Sequence, residues 1–190
     1  MASIFNKRIV WDVQLAKSLV KNKNNLKVGQ LFRKVTEYAG GGYIESNAVV
    51  TGDIYAYWIS MSCNHCAEPA CVKNCPTGAM QKRKEDGIVF VDPKKCIGCR
   101  YCIMSCPYGA PQYNPDTGKT GKCDLCRDLL AEGKKPACVT ACPMRVLDVG
   151  PVEELRQKYG GTNYIKGMPK PSTKPSLIMK PHKNAIADKS

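Results

Sequence analysis

Cys96-Ile97-Gly98-Cys99-Arg100-Tyr101-Cys102-Ile103-Met104-Ser105-Cys106-Pro107 decides how the rest of the chain is read. Cys96, Cys99 and Cys102 stand three residues apart, Cys106 follows four residues on, and a proline closes the run. Upstream, Cys63, Cys66, Cys71 and Cys75-Pro76 repeat the plan with one longer gap. Downstream, Cys123, Cys126, Cys138 and Cys142-Pro143 repeat it with a helical insertion. The three groups account for all twelve cysteines and form an internal repeat. Thiols three residues apart fit one tight loop, whereas the last cysteine of each run opens a segment leading away from it. The proline after it has no N–H to donate and sets the chain direction.

Two explanations of so many cysteines compete: a disulfide scaffold or a metal and redox protein. The stretch Met1–Val20 shows no uninterrupted apolar region and no small-residue cleavage site, so no secretory signal is visible. The cysteines also fall in tight local groups, not at the wider spacings of disulfide frameworks. Cys96 to Pro107 has the full spacing of the bacterial ferredoxin run, in which three cysteines hold one iron–sulfur cube and the fourth reaches its neighbour. That rule groups Cys63, Cys66, Cys71 and Cys106 on one [4Fe-4S] cluster, and Cys96, Cys99, Cys102 and Cys75 on a second. Zinc is the competing ligand for Cys-x2-Cys pairs. It demands neither a third cysteine three residues on nor a following proline, and the chain holds only two histidines, His65 and His182.

At 190 residues the chain makes one or two small domains. No apolar stretch approaches the about 18–20 residues that cross a bilayer, so no direct membrane span is expected. The formal charge of +13 raises nucleic acid as a partner. That figure counts every cysteine as neutral, whereas a cluster with four thiolates carries about −2. No nucleic-acid motif or aromatic platform accompanies the charge, and no nucleic acid is expected. Nor is there a catalytic triad, a substrate-pocket signature or a phosphate-binding glycine loop. The chain is therefore read as no enzyme in itself.

The fold expected is α+β: ferredoxin-like, pseudo-symmetric cluster-binding modules with short strands and helices, many loops and an extended C-terminal tail. Ile9, Val10, Val13, Ala16, Leu19 and Val20 share one face of a first helix, which the polar run from Lys21 to Asn25 ends. Tyr55, Tyr57 and Trp58 lie in a strand-forming stretch and are expected to pack in the core. A short strand is expected between Gly87 and Pro93, and a helix over Asp124–Ala131. Residues 61–114 form a two-cluster module. Residues 1–60 and 115–167 together form a second, holding the third cysteine group. Residues 168–190, with four Pro and five Lys against one acidic residue, form an extended tail lying over a surface or a partner. His65 is expected near solvent in its loop. Gly78, Gly98 and Gly109 are expected to let backbone N–H groups approach sulfur.

Beyond the cysteines, other stretches carry a resemblance. They are Phe32-Arg33, Glu37-Tyr38-Ala39-Gly40-Gly41, Ser62-Cys63-Asn64-His65-Cys66, Cys106-Pro107-Tyr108-Gly109-Ala110-Pro111-Gln112-Tyr113-Asn114, Glu132-Gly133-Lys134-Lys135-Pro136 and the Lys-Pro segment around Lys174. From about residue 30 to about residue 182 the chain resembles the iron–sulfur electron-transfer subunit of dimethyl sulfoxide reductase and related molybdopterin oxidoreductases. The resemblance implies relay of single electrons between a membrane anchor or quinone-linked subunit and a molybdopterin-containing catalytic subunit. It implies a cytoplasmic or membrane-associated location through those partners, with export only alongside a signal-bearing partner. A stand-alone polyferredoxin and a zinc-stabilised binding module are the alternatives.

Subunits resembling this one carry four cysteine groups. The missing group falls on Val10, Val13, Ala16 and Val20, which keep the spacing but offer only hydrocarbon. The resemblance implies that Cys142 served the lost cluster, and that the cluster on Cys123, Cys126 and Cys138 took its fourth ligand from the position of Val20. Three outcomes stay open: Cys142 completes a third [4Fe-4S] cluster, a [3Fe-4S] cluster forms on three cysteines, or the site is empty or holds zinc. A complete or three-cysteine cluster is the expectation, with all twelve cysteines as ligands.

Overall fold

The computed structural model describes residues 2–7, 14–46, 49–165 and 167–185. The chain opens with strand β1 (Ala2–Lys7) and helix α1 (Gln14–Lys23). Of the expected helical face, Ile9, Val10 and Val13 lie outside the described residues. Ala16 and Val20, one turn apart, are buried as that face requires, but Leu19 is turned outward and 40% exposed. The helix stops where Asn24 and Asn25 begin a turn, and the Asn24 side chain donates to the Val20 carbonyl.

Strand β2 (Lys34–Gly40) pairs antiparallel with β5 (Tyr55–Met61), and the hairpin of β3 (Tyr43–Ser46) and β4 (Val49–Gly52) lies between them in sequence. Tyr57 is buried with Ile59, Ile165, Met168, Leu177 and Met179, and Tyr55 and Trp58 border that cluster. The aromatic stretch therefore builds a core, one shared with the C-terminal segment.

The cysteine-rich centre is built from a repeated unit of loop, short helix and hairpin. In the first copy, helix α2 (Ala70–Lys73) carries Cys71, and the hairpin of β6 (Met80–Lys82) and β7 (Val89–Val91) follows Cys75. In the second, α3 (Tyr101–Ser105) carries Cys102, and the hairpin of β8 (Gln112–Asn114) and β9 (Lys119–Gly121) follows Cys106. The third group replaces the simple loop with α4 (Arg127–Ala131), and α5 (Ala137–Thr140) then carries Cys138. Helices α2 and α5 both start as Pro-Ala-Cys-Val. Proline at this position gives up no hydrogen bond, because the first N–H groups of a helix have no intrahelical partner.

Strand β10 (Leu147–Pro151) pairs antiparallel with β1, and helix α6 (Val152–Tyr159) follows. Strand β11 (Leu177–Lys180) pairs parallel with β1 on its other side, and a 3-10 turn covers Lys183–Ala185. The surface under the extended C-terminal segment is thus the chain's own. Thr173, Ser176, Leu177, Ile178 and Met179 are all buried, and the Ala67 and Glu68 N–H groups donate to the Lys174 and Thr173 carbonyls. The whole is a mixed fold of short strands, short helices and loops, matching a ferredoxin-like module.

Candidate functional site

The first and second cysteine runs exchange their last members. Cys66 lies within Coulomb reach of Cys63 and Cys106, and Cys71 within reach of Cys63, Cys106 and Cys66. Burial, reinforced by the neighbouring thiols, pushes the Cys71 thiol up to about 12. Burial raises Cys66 as well, against the Thr173 hydroxyl, which donates to its Sγ at 3.1 Å.

The second set is its counterpart. Cys102 has Cys75, Cys96 and Cys99 within Coulomb reach. These four line a small pocket, walled by Met80, Val91 and Thr120. The two hairpins serve equivalent ends: the Met80 N–H donates to Cys75 Sγ at 3.3 Å, and the Thr120 N–H to Cys96 Sγ at 3.4 Å. Burial pushes the Cys102 thiol up. For Cys75 burial also acts upward, but the N–H of Met80, the Thr77 hydroxyl and the N–H groups of Thr77 and Ala79 outweigh it and lower the thiol. Between Cys96 and Cys99, Gly98 sits at φ +74°, where a Cβ would fall 2.2 Å from the Gly118 carbonyl oxygen. Only glycine permits that turn and that approach.

The third set is incomplete. Cys123, Cys126 and Cys138 line a small cavity together with Val20, Phe32 and Arg33. Val20, the position from which the resemblance implies a fourth ligand, therefore stands on the wall of this cavity. Cys142 does not line this cavity; it is fully buried in a cluster with Cys138 of the same set and with Ala16, Val20, Val139, Val146 and Leu147. The Leu125 N–H donates to Cys123 Sγ at 3.4 Å, and Arg33 Nη2 donates to Cys138 Sγ at 3.5 Å. Burial, then Cys63 and Cys138, push the Cys123 thiol up to about 12. Burial also raises Cys126.

A single metal ion gathers its sulfur ligands within about 2.3 Å of one point. Among the described residues, no group of three or more His, Cys, Asp or Glu is arranged to hold a metal ion. The expected tally of [4Fe-4S] clusters, two firm and a third either complete or [3Fe-4S], is corrected by this finding. The physical reason lies in the thiols. Burial favours their protonated form, most strongly at Cys71 and Cys123, so as placed they are thiols around a space and not thiolates gathered on one ion.

Some site residues are visible only in three dimensions. His65 is not near solvent: it is 2% exposed, and its Nδ1 accepts the Val89 N–H at 2.9 Å. Burial, then Lys122 and Lys82, hold it well below the usual histidine range. Lys122 is buried with its Nζ on the Val89 and Cys123 carbonyls. Arg33 is buried against Ser60, Ser62 and Cys138. A lone Arg, Lys or Thr has no periodic signal. The adjacency of Lys122 to Cys123 marks it in the sequence, and Arg33 is marked only as part of the Phe32-Arg33 stretch.

A family profile described as "4Fe-4S dicluster domain" matches residues 54–152. The B polypeptide of the anaerobic dimethyl sulfoxide reductase of Escherichia coli is 55% identical over 155 residues, covering 81% of this chain and 75% of the relative. Its counterpart from Haemophilus influenzae is 50% identical over 156 residues, covering 81% and 76%. The thiosulfate reductase electron transfer subunit of Salmonella typhi is 47% identical over 110 residues, covering 57% of each protein. Among the described residues no helix is long and apolar enough to cross a membrane. With the ferredoxin-like units, the exchanged cysteines and these relatives in hand, the chain belongs to the iron–sulfur subunit family of the dimethyl sulfoxide reductases.

Proposed function

We propose that the chain relays single electrons between a quinone-linked membrane subunit and a molybdopterin catalytic subunit, as its electron-transfer rather than its catalytic component. The observation that carries this is the exchange of Cys75 and Cys106 between the first two sets. It ties two all-sulfur donor sets back to back through one continuous stretch of chain, an arrangement suited to passing charge from one to the other. An iron–sulfur centre supplies one-electron chemistry when bound, and its potential follows from net charge, hydrogen bonds to sulfur and solvent exposure.

The proposed ligand residues are Cys63, Cys66, Cys71 and Cys106 in one set, Cys75, Cys96, Cys99 and Cys102 in the second, and Cys123, Cys126 and Cys138 around the third cavity. Their own contribution is positional. Short helices and hairpins fix the thiols, N–H and O–H groups point at the sulfurs, and burial keeps water from Cys63, Cys71, Cys102, Cys126 and Cys138, whereas Cys99 is exposed. Metal binding must then displace the protons that burial favours, so loading is coupled to pH and to folding. Cys142, buried in a largely apolar cluster beside Cys138, serves packing. Residues 61–114 act as one module; 1–60 with 115–167 act as another, joined by the packing of Ala16 and Val20 on Cys138 and Val139.

Anaerobic purification of the full chain tests the reading. The expected product is brown, contains iron and gives an EPR signal on reduction, and it co-purifies with a large molybdenum-containing partner when the two are expressed together. A colourless, iron-free chain overturns it.

A further inference from the structure

Two cations are buried beside the cysteines with no carboxylate to balance them. Arg33 is 2% exposed. Its Nη1 donates to Ser60 Oγ at 2.9 Å, its Nη2 to Ser62 Oγ at 3.1 Å and to Cys138 Sγ at 3.5 Å, and its Nε has no partner. Lys122 is 5% exposed, and its Nζ donates to the carbonyls of Val89 and Cys123. Among the described residues neither forms an ion pair with Asp or Glu. The pairs that do form, such as Lys23 with Asp128, involve exposed or half-exposed side chains.

Burying an ion is costly unless an opposite charge compensates it, and a guanidinium cannot shed its proton inside a protein. The acceptors around both residues are neutral hydroxyls and carbonyls, with one exception. The cysteines beside them are Cys138, whose Sγ accepts from Arg33 Nη2, and Cys123, whose carbonyl accepts from Lys122 Nζ. Arg33 lines the Cys123, Cys126 and Cys138 cavity, while its serine partners Ser60 and Ser62 immediately precede Cys63. Lys122 acts on Cys71 of the first set and is adjacent to Cys123 of the third. Both charges thus lie where those two sets meet.

We propose that Arg33 and Lys122 are the fixed counter-charges of this junction, positioning residues that hold the neighbouring thiolate sites in place and make an added electron easier to accommodate there. The inference rests on the electron-relay reading. A positive charge at short range in a poorly solvated interior favours the reduced, more negative state of a redox site. If hydrogen bonding alone were their purpose, charge would be incidental, and a neutral side chain of similar length would leave the redox behaviour alone.

Matched substitutions in the full-length chain, purified anaerobically, separate charge from shape. Arg33→Met and Lys122→Met remove charge and keep most of the hydrocarbon stem; Arg33→Lys and Lys122→Arg keep charge and alter the donor geometry. Iron per chain is measured first, then the midpoint potentials by EPR-monitored redox titration. The expected result is that each Met variant shifts a reduction equilibrium at least about tenfold toward the oxidised form, or about 59 mV downward for one electron. The charge-conserving variants should stay within about twofold of the parent. If the Met variants lose iron, retention of iron by Arg33→Lys and Lys122→Arg supports the proposal. Unchanged potentials in iron-loaded Met variants overturn it, as do conservative variants that shift or lose iron as much as the neutral ones. A parent chain without iron overturns the electron-relay reading itself, and the counter-charge role with it.

Discussion

The Thr173 hydroxyl donates to Cys66 Sγ at 3.1 Å, across 107 residues of sequence. The neighbouring N–H groups of Ala67 and Glu68 donate to the carbonyls of Lys174 and Thr173. The C-terminal segment is therefore fastened to the first cysteine loop by side chain and backbone together. Hydrogen bonds to ligand sulfur help set a centre's potential, so on the proposed reading, with Cys66 as a ligand, a segment with no cysteine of its own would take part in redox tuning.

Thr173→Val isolates that part, since it keeps the shape and removes one donor. The backbone bonds at Thr173 and Lys174 remain, so the chain should fold and bind iron as before, with a stability loss of about 1 kcal/mol. The potential of the centre on Cys66 should fall by a comparable energy, roughly 40 mV for one electron. Redox potentiometry alongside urea unfolding checks both. An unchanged potential would remove Thr173 from the tuning role.

The cysteine sets are legible in the sequence because ligand spacing is a local property: three thiols at three-residue intervals need only one loop to bring them together. The exchange of Cys75 and Cys106 follows from the same spacing and the direction each Cys-Pro imposes. What the chain hides depends on contacts between distant segments. His65 is buried because Val89, 24 residues on, donates to its ring. The strand Leu177–Lys180 is buried because it pairs beside β1, and no alternation in a Lys- and Pro-rich stretch announces that. Helical periodicity assigns Leu19 to the buried face, yet the packed stripe is the narrower one through Ala16 and Val20.

Raised thiols make stability depend on pH in the iron-free chain. Cys71 and Cys123 stand at about 12 in the fold, against an ordinary value of 9.0. Between those values the folded chain keeps protons that the unfolded chain has released, so stability is full below about pH 9 and declines as pH rises toward 12. Urea midpoints of iron-free chain under reducing conditions should fall steadily from about pH 8 to about pH 11, to an extent lessened by Cys71→Ala. A midpoint that holds constant over that range would show that these thiols titrate alike in both states.

Gly98→Ala tests how closely the second set is assembled. The new methyl would have to occupy a site 2.2 Å from a backbone carbonyl oxygen, at a positive φ that L residues rarely adopt. Strain of this kind costs about 1–3 kcal/mol before the clash is relieved. The variant should lose stability by at least that much and show an altered EPR signal, because Cys96 and Cys99 flank the displaced loop. Gly133→Ala is the control: it has positive φ but nothing within 4 Å of the added carbon, so its loss should be smaller and its spectrum unchanged.

The third cavity offers a test in both directions. Val20 lines it beside Cys123, Cys126 and Cys138, while Cys142 does not line it but packs in one buried cluster with Val20, Cys138, Ala16 and Val146. Cys142→Ala removes a buried sulfur from a hydrocarbon cluster and should cost about 1–2 kcal/mol as a small cavity, with iron content equal to the parent's. Val20→Cys places a thiol on the wall where the related pattern supplies one. Its core cost is small, since cysteine packs as a small apolar residue. The variant should bind more iron per chain than the parent under identical reconstitution, and adding Cys142→Ala should leave that gain intact. If Val20→Cys gains nothing, the wall at residue 20 is not a ligand position. If Cys142→Ala loses iron, the sealed thiol moves to the cavity on loading, and its packing in this structure is only one of its two states.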